Sequence, residues 1–171
     1  MRSRSVLRPL AAVTVAVGIG LIALAPAAGA ASKRVPVANP DFTTTTACSF
    51  PVAFHALVNN EYQTTTPQPD GTTLIKIEGS LFATLTNGNT GKSITVNISG
   101  PGTFTINADG SSSSTFRGRS LFFFGAAAQT SFGVPGILLT SGLVNFTQDS
   151  SGNFTSFAPN GSSTDECAAL S

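Results

Sequence analysis

The sequence predicts an all-β domain carried behind a secretory signal peptide. Three observations support that prediction. From Phe50 onward, short β-branched or aromatic runs alternate with clusters of Gly, Asn, Asp and Pro. The connections between runs are of hairpin length, which permits antiparallel pairing and no parallel crossover. The chain also opens on a basic, then apolar, then small-residue leader. The expected architecture is an antiparallel meander of about seven or eight strands closed into a small barrel, with a two-sheet sandwich as the alternative and a short helical turn at the C-terminus.

The leader contains Arg2, Arg4 and Arg8 ahead of an uncharged run from Leu10 to Ala25. Pro26 ends the run, and Ala28 and Ala30 occupy the small-residue positions of a cleavage site, so cleavage is expected after Ala30. This gives a signal peptide over 1–30, a flexible lead-in over 31–47 with two prolines and no period, and one β-domain over 48–171. No cysteine follows the site for lipidation, so the expected product is secreted, free of the membrane after cleavage, and extracellular or cell-wall associated.

Along the domain, one or two strands are expected in Val52 to Thr66. The clearest alternation runs from Thr73 to Leu85, with Ile75, Ile77, Leu81, Ala83 and Leu85 on the core side. Ile94, Val96 and Ile98 continue it until Gly100-Pro101-Gly102, where a bend is expected because Pro101 has no N–H to donate. Asn107 to Gly110 reads as a hairpin turn leading into a long strand from Ser112 to Phe124, whose end is apolar on both faces. Residues 125 to 135 read as a loop, Ile137 to Thr147 as a strand, and Phe154 to Phe157 as a short one.

Cys48 and Cys167 are the only cysteines, and an exported chain meets an oxidising compartment, so they are expected to pair. The precursor has a net charge of +1, whereas the chain from Ala31 keeps six cations against eight acids. The basic balance therefore belongs to the leader, and nucleic acid is excluded as a partner.

The segments CSFPV, NNEYQT, TGKSITVNISGPGTFT, RGRSLFFF and STDECAALS, spread over residues 48 to 171, resemble a family of small secreted actinobacterial proteins of unknown function. The resemblance implies export and a shared β-fold with a terminal disulfide. It brings no activity with it.

Five residues are candidates for a binding site. His55 is the only histidine, so a histidine-based metal site would need carboxylates alone to complete it; no spacing resembles a structural zinc set, and neither a metal nor a cofactor is expected. Alternation with Phe54, Ala56 and Val58 turns His55 away from the apolar face. Glu61 and Tyr62 place a carboxylate beside the only phenol. Arg117 and Arg119 share one strand face, as do Lys76 and Glu78, and they would hold an anion only if that face lined a barrel interior. Serines and threonines abound, but no G-x-S-x-G elbow accompanies them. The functional expectation is a non-enzymatic secreted domain that binds a small apolar or anionic ligand or a cell-surface partner. The competing expectation is an enzyme using Glu61, Tyr62, His55 or Arg117/Arg119 at a barrel mouth.

Overall fold

A computed structural model describes residues 32–171 of the chain. The expected signal peptide over 1–30 and its expected cleavage after Ala30 lie outside the described residues. Eleven strands and two short helices follow in order: β1 (Arg34–Pro36), β2 (Phe42–Thr44), β3 (Val52–Asn59), β4 (Tyr62–Pro67), β5 (Thr73–Glu78), β6 (Leu81–Asn87), β7 (Ser93–Asn97), β8 (Gly102–Ile106), β9 (Ser112–Phe123), α1 (Ala126–Phe132), β10 (Ile137–Gln148), β11 (Phe154–Asp165) and α2 (Glu166–Leu170). All pairing is antiparallel, in a seven-stranded sheet ordered β1-β4-β5-β8-β9-β10-β11 and a four-stranded sheet ordered β2-β3-β6-β7.

The expected barrel is therefore corrected to an open, sandwich-like pair of sheets, in which β1, β11, β2 and β7 are edges. The chain is also not a simple meander, because it crosses between the sheets four times: between Pro36 and Phe42, at Asn60-Glu61, at Gly79-Ser80 and between Asn97 and Gly102. The alternation from Thr73 to Leu85 keeps its inward face, with Ile75, Leu81, Ala83 and Leu85 all buried. Gly79 nevertheless breaks that run into β5 and β6. Residues 31–47, expected to be flexible, supply β1 against β4 and β2 against β3.

The last three crossings lie where backbones pack closely, since a Cβ on Gly79 would strike the Asn60 carbonyl oxygen and one on Gly100 that of Arg117. Arg117 donates its N–H to the Pro101 carbonyl and Arg119 donates to that of Ser99, which sets Gly118 beside Gly100. On the same line, Gly118 pairs with Gly142 and Gly142 with Gly161. These glycines let neighbouring backbones approach where a side chain would collide. A Cβ on Gly142 would strike the Asn160 carbonyl oxygen, and one on Gly161 would strike that of Ser141. Their φ values of 132° and 146° also lie where L-residues are strained.

Along this glycine line the three long strands fold back on themselves. Phe154 pairs with Gln148 and Gln148 with Ser112, so a straight strand would hold Phe124 about 40 Å away at roughly 3.3 Å per residue. The Phe124 and Phe154 rings are instead 5.1 Å apart, and those of Phe122 and Phe157 are 5.0 Å apart.

The fold places the ends of β9 and β10 in a middle layer, which explains why both of their faces are apolar. Phe122, Phe124 and Leu138 pack with Val144, Phe146, Phe154 and Phe157 on one side. Ile137, Leu121, Phe123 and Leu139 pack on the other side against Val52, Phe54, Ala83 and Leu85 of the four-stranded sheet. Each large apolar side chain buried this fully contributes roughly 1.5–3 kcal/mol, and the edge-on and offset ring pairs add specificity of geometry. Thr140, 1 % exposed in this layer, donates its hydroxyl to the Ser120 carbonyl at 3.2 Å, so its burial leaves no donor stranded.

The expected bridge between Cys48 and Cys167 is present, with Cα atoms 5.6 Å apart and a sequence separation of 119. Beside it, α2 drives Leu170 fully into the core, and the Asp165 carboxylate caps the helix by accepting from the Ala168 N–H at 3.1 Å. Asn87 closes the same end by donating to the Leu170 carbonyl at 3.0 Å.

Urea melts of three alanine variants test the glycine line. Gly91 also has a positive φ, of 75°, but faces open space, so Gly91→Ala should cost roughly 1–2 kcal/mol for backbone strain alone. Gly142→Ala and Gly161→Ala should each lose roughly 1–3 kcal/mol more, from overpacking against backbone. Equal losses at all three positions would mean that close approach at this line is unimportant.

Candidate functional site

The five candidates separate into two groups. Glu61, Tyr62 and His55 sit near the corner where β3 hands over to β4, and each contacts the segment 34–41. The Glu61 side chain is buried at the corner and accepts a hydrogen bond from Asn39 Nδ2 at 3.0 Å. Its backbone is tied as well, since its N–H donates to Asn59 Oδ1 and its carbonyl accepts from Val37. Burial pushes the Glu61 carboxyl above its ordinary value, and the Asn39 hydrogen bond opposes that push.

Tyr62, next in sequence, points to the opposite face and is 37 % exposed. The Arg34 guanidinium lies over its ring, 4.2 Å from the centroid. His55 is on the outer face of the four-stranded sheet, as its alternation predicts. Its Nδ1 is 2.6 Å from Asp41 Oδ2, and both side chains are 60 % exposed. Asp41 Oδ1 also accepts from the Ala56 N–H at 3.2 Å. The hydrogen bond from His55, then that from Ala56, holds the Asp41 carboxyl below its ordinary value.

Arg117 and Arg119 form the second group. Both are exposed on β9, opposite Leu143 and Ser141 of β10. The strand β8 lies between β9 and β5, so the arginines are not cross-strand neighbours of Lys76 and Glu78. Among the described residues the ion pair within 4 Å is His55–Asp41. Arg119 does act on Glu166, whose carboxyl is raised by burial and by Asp165 and lowered by the arginine's charge.

No hydrogen bond or ion pair joins any of these five residues to another of them among the described residues. No protein-family model, no curated protein and no solved structure matches the chain.

Two surface features escape the sequence pattern. A shallow depression of about 230 Å³ lies over β8 to β11 and is lined by uncharged side chains such as Thr103, Thr115, Asn145 and Thr147. The other feature is apolar. The register of β3 against β6 slips between Ala56 and Val58, a bulge that turns Leu57 and Val58 outward, where Val58 meets Phe82 across the pair. Leu57, Val58 and Phe82 are 49 %, 45 % and 36 % exposed. Simple alternation puts Val58 inside with Phe54 and Ala56, and the extra residue at Leu57 overturns that placement.

The two carboxylates at the corner should give opposite pH signatures, read as the melting temperature of each variant relative to wild type. The Glu61 pKa is raised on folding, so its favourable contribution is complete below 4.5 and is lost as pH rises through the folded value. Glu61→Gln should thus gain on wild type as pH increases from 4. The Asp41 pKa is lowered, so its contribution is present above 3.8 and is lost as pH falls through the folded value. Asp41→Asn should be the less stable protein near neutrality and should close the gap on wild type in acid.

Proposed function

We propose that this chain is exported and acts outside the cell as a non-catalytic binding domain, using the Leu57, Val58 and Phe82 face to meet a cell-surface partner. The observation that carries the reading is the bulge in β3. A lone exposed apolar residue is ordinary on a protein surface. Here two consecutive residues are turned outward beside an exposed phenylalanine, on a face whose other positions are mostly polar, among them His55, Thr84, Thr86, Ser93, Thr95 and Asn97. Aromatic residues, phenylalanine among them, are enriched in the buried cores of interfaces relative to the rest of the protein surface.

Export draws support from the basic and apolar leader, from the resemblance to secreted actinobacterial proteins, and from the disulfide, which is compatible with an oxidising compartment. The roles of Glu61, Tyr62 and His55 favour binding over catalysis as well. Each is engaged by Asn39, Arg34 or Asp41, and those contacts hold segment 34–41 in place.

Two measurements check this reading. Protein recovered from the culture medium should begin at Ala31 and weigh about two daltons less than its reduced form. Recovery only from within cells, with residues 1–30 retained, would refute export. Purified chain from Ala31 should co-sediment with envelope fragments of the producing organism, and Val58→Ser/Phe82→Ser should reduce the bound fraction at least about tenfold at an unchanged melting temperature. Equal binding by the variant would refute the role of this face.

A further inference from the structure

Residues 34–44 form a strap across one side of the folded sheet. β1 covers β4 through three residue pairs, and β2 covers β3 through three more. Between those pairings the strap is tied by side chains, with Asn39 on Glu61, Asp41 on His55, and the Val37 carbonyl accepting from Asn59 Nδ2 at 2.8 Å. Its apolar anchor is Phe42, whose ring stacks on Phe54 at 5.0 Å and meets Phe123 edge-on at 5.1 Å.

The attachment ends abruptly on the C-terminal side. Thr45 and Thr46 are exposed, and the next two residues are fixed. Ala47 is 5 % exposed and packs so closely on Gly136 that a Cβ there would collide with the Ala47 carbonyl, while Cys48 is held by the disulfide. An opening of the strap would therefore stop at a two-residue hinge, withdraw Phe42 from the edge of one core and leave the glycine line and the other core intact. Short pairings with much exposed backbone belong to the low end of local stability within a fold.

We propose that residues 34–44 are an exchangeable strap, and that the β3 and β4 edges of one molecule accept the strap of a second copy of this chain. Those edges already fit that segment, so the complementary partner is identified by the structure itself. Exchange in both directions makes a closed two-fold dimer that repeats every strap contact of the monomer. The balance is then set by hinge geometry and by concentration, and a hinge of two residues is of the short kind that invites swapping. This interface is independent of the Leu57, Val58 and Phe82 face, which exchange leaves uncovered by any strap contact described above.

The test uses the full chain from Ala31 with Val35→Cys and Gln63→Cys. These two positions are direct cross-strand partners, within the Cα separation that a disulfide spans. After incubation at about 10 μM and about 1 mM, the pair is oxidised and the products are separated without reductant. Peptide mapping distinguishes the new bond from Cys48–Cys167. The proposal expects intrachain linkage at the lower concentration and an interchain dimer whose share rises at least about fivefold at the higher one. A second readout leaves the native cysteines alone: isotopically labelled and unlabelled wild-type chains, concentrated together and examined by native mass spectrometry, should yield mixed dimers. Purely intrachain linkage at both concentrations, or monomers only in the mixing experiment, would overturn the proposal. Dimers that form equally well when residues 31–44 are deleted would also overturn it, because they would arise from another surface.

Discussion

The structure depends on backbone packing against backbone along the glycine line through Gly100, Gly118, Gly142 and Gly161. Strands of ordinary sequence cannot double back without either stranding hydrogen-bonding groups or driving a Cβ into a carbonyl. Here the collision is removed residue by residue, and pairing continues from Ile137 to Gln148 without interruption against β9. A fold that would otherwise be a broad sheet with two wet faces thereby gains a middle layer buried on both sides. The thirteen phenylalanines of a chain without tryptophan then have somewhere to go.

The other constraints reinforce that arrangement from its edges. The disulfide joins the chain just after the strap to the last helix, closing a loop for which the chain-entropy argument gives roughly 4–5 kcal/mol. The helix α2 brings Leu170 to the same core, and Asn87 satisfies the carbonyl that this burial would leave without a partner. The strap covers the first edges of both sheets. On the far side, β11 is an edge of twelve residues, but Pro159 and the bend at Gly161 interrupt the flat template that would favour uncontrolled pairing.

Much of this was legible in the sequence, for reasons that can be named. Alternation located the inward faces of Thr73 to Leu85 because burial of one sheet face imposes a period of two, whichever sheet the residue belongs to. Asn107 to Gly110 was readable as a turn because its chemistry is local, and the Gly110 N–H indeed donates to the Asn107 carbonyl at 3.0 Å. The barrel expectation failed because a glycine in a strand signals close approach without saying to what. Only the register shows that Gly118, Gly142 and Gly161 align. The double apolar face of Leu121 to Phe124 was visible, but its cause, a layer on each side, is a long-range fact.

The candidate site was legible in its residues and not in its relations. His55, Glu61 and Tyr62 were singled out as chemically unusual, and each proves to have a specific partner. Those partners, Asp41, Asn39 and Arg34, came from a stretch whose prolines and lack of period pointed to flexibility. Short edge strands held by side chains leave almost no periodic signal. The bulge at Leu57 was equally silent, since one inserted residue reverses the faces after it without altering composition.

The central claim is that the three long strands fold back along the glycine line, and contacts between the phenylalanine rings test it most directly. Nuclear Overhauser spectra of protein with assigned phenylalanine ring protons should connect Phe122 with Phe157, and Phe124 with Phe154, pairs whose rings are 5.0 and 5.1 Å apart. Strands that ran straight would keep the second pair about 40 Å apart. Spectra with the cross-strand contacts of Phe146 and Phe157 but neither of these long-range connections would contradict the folded sheet.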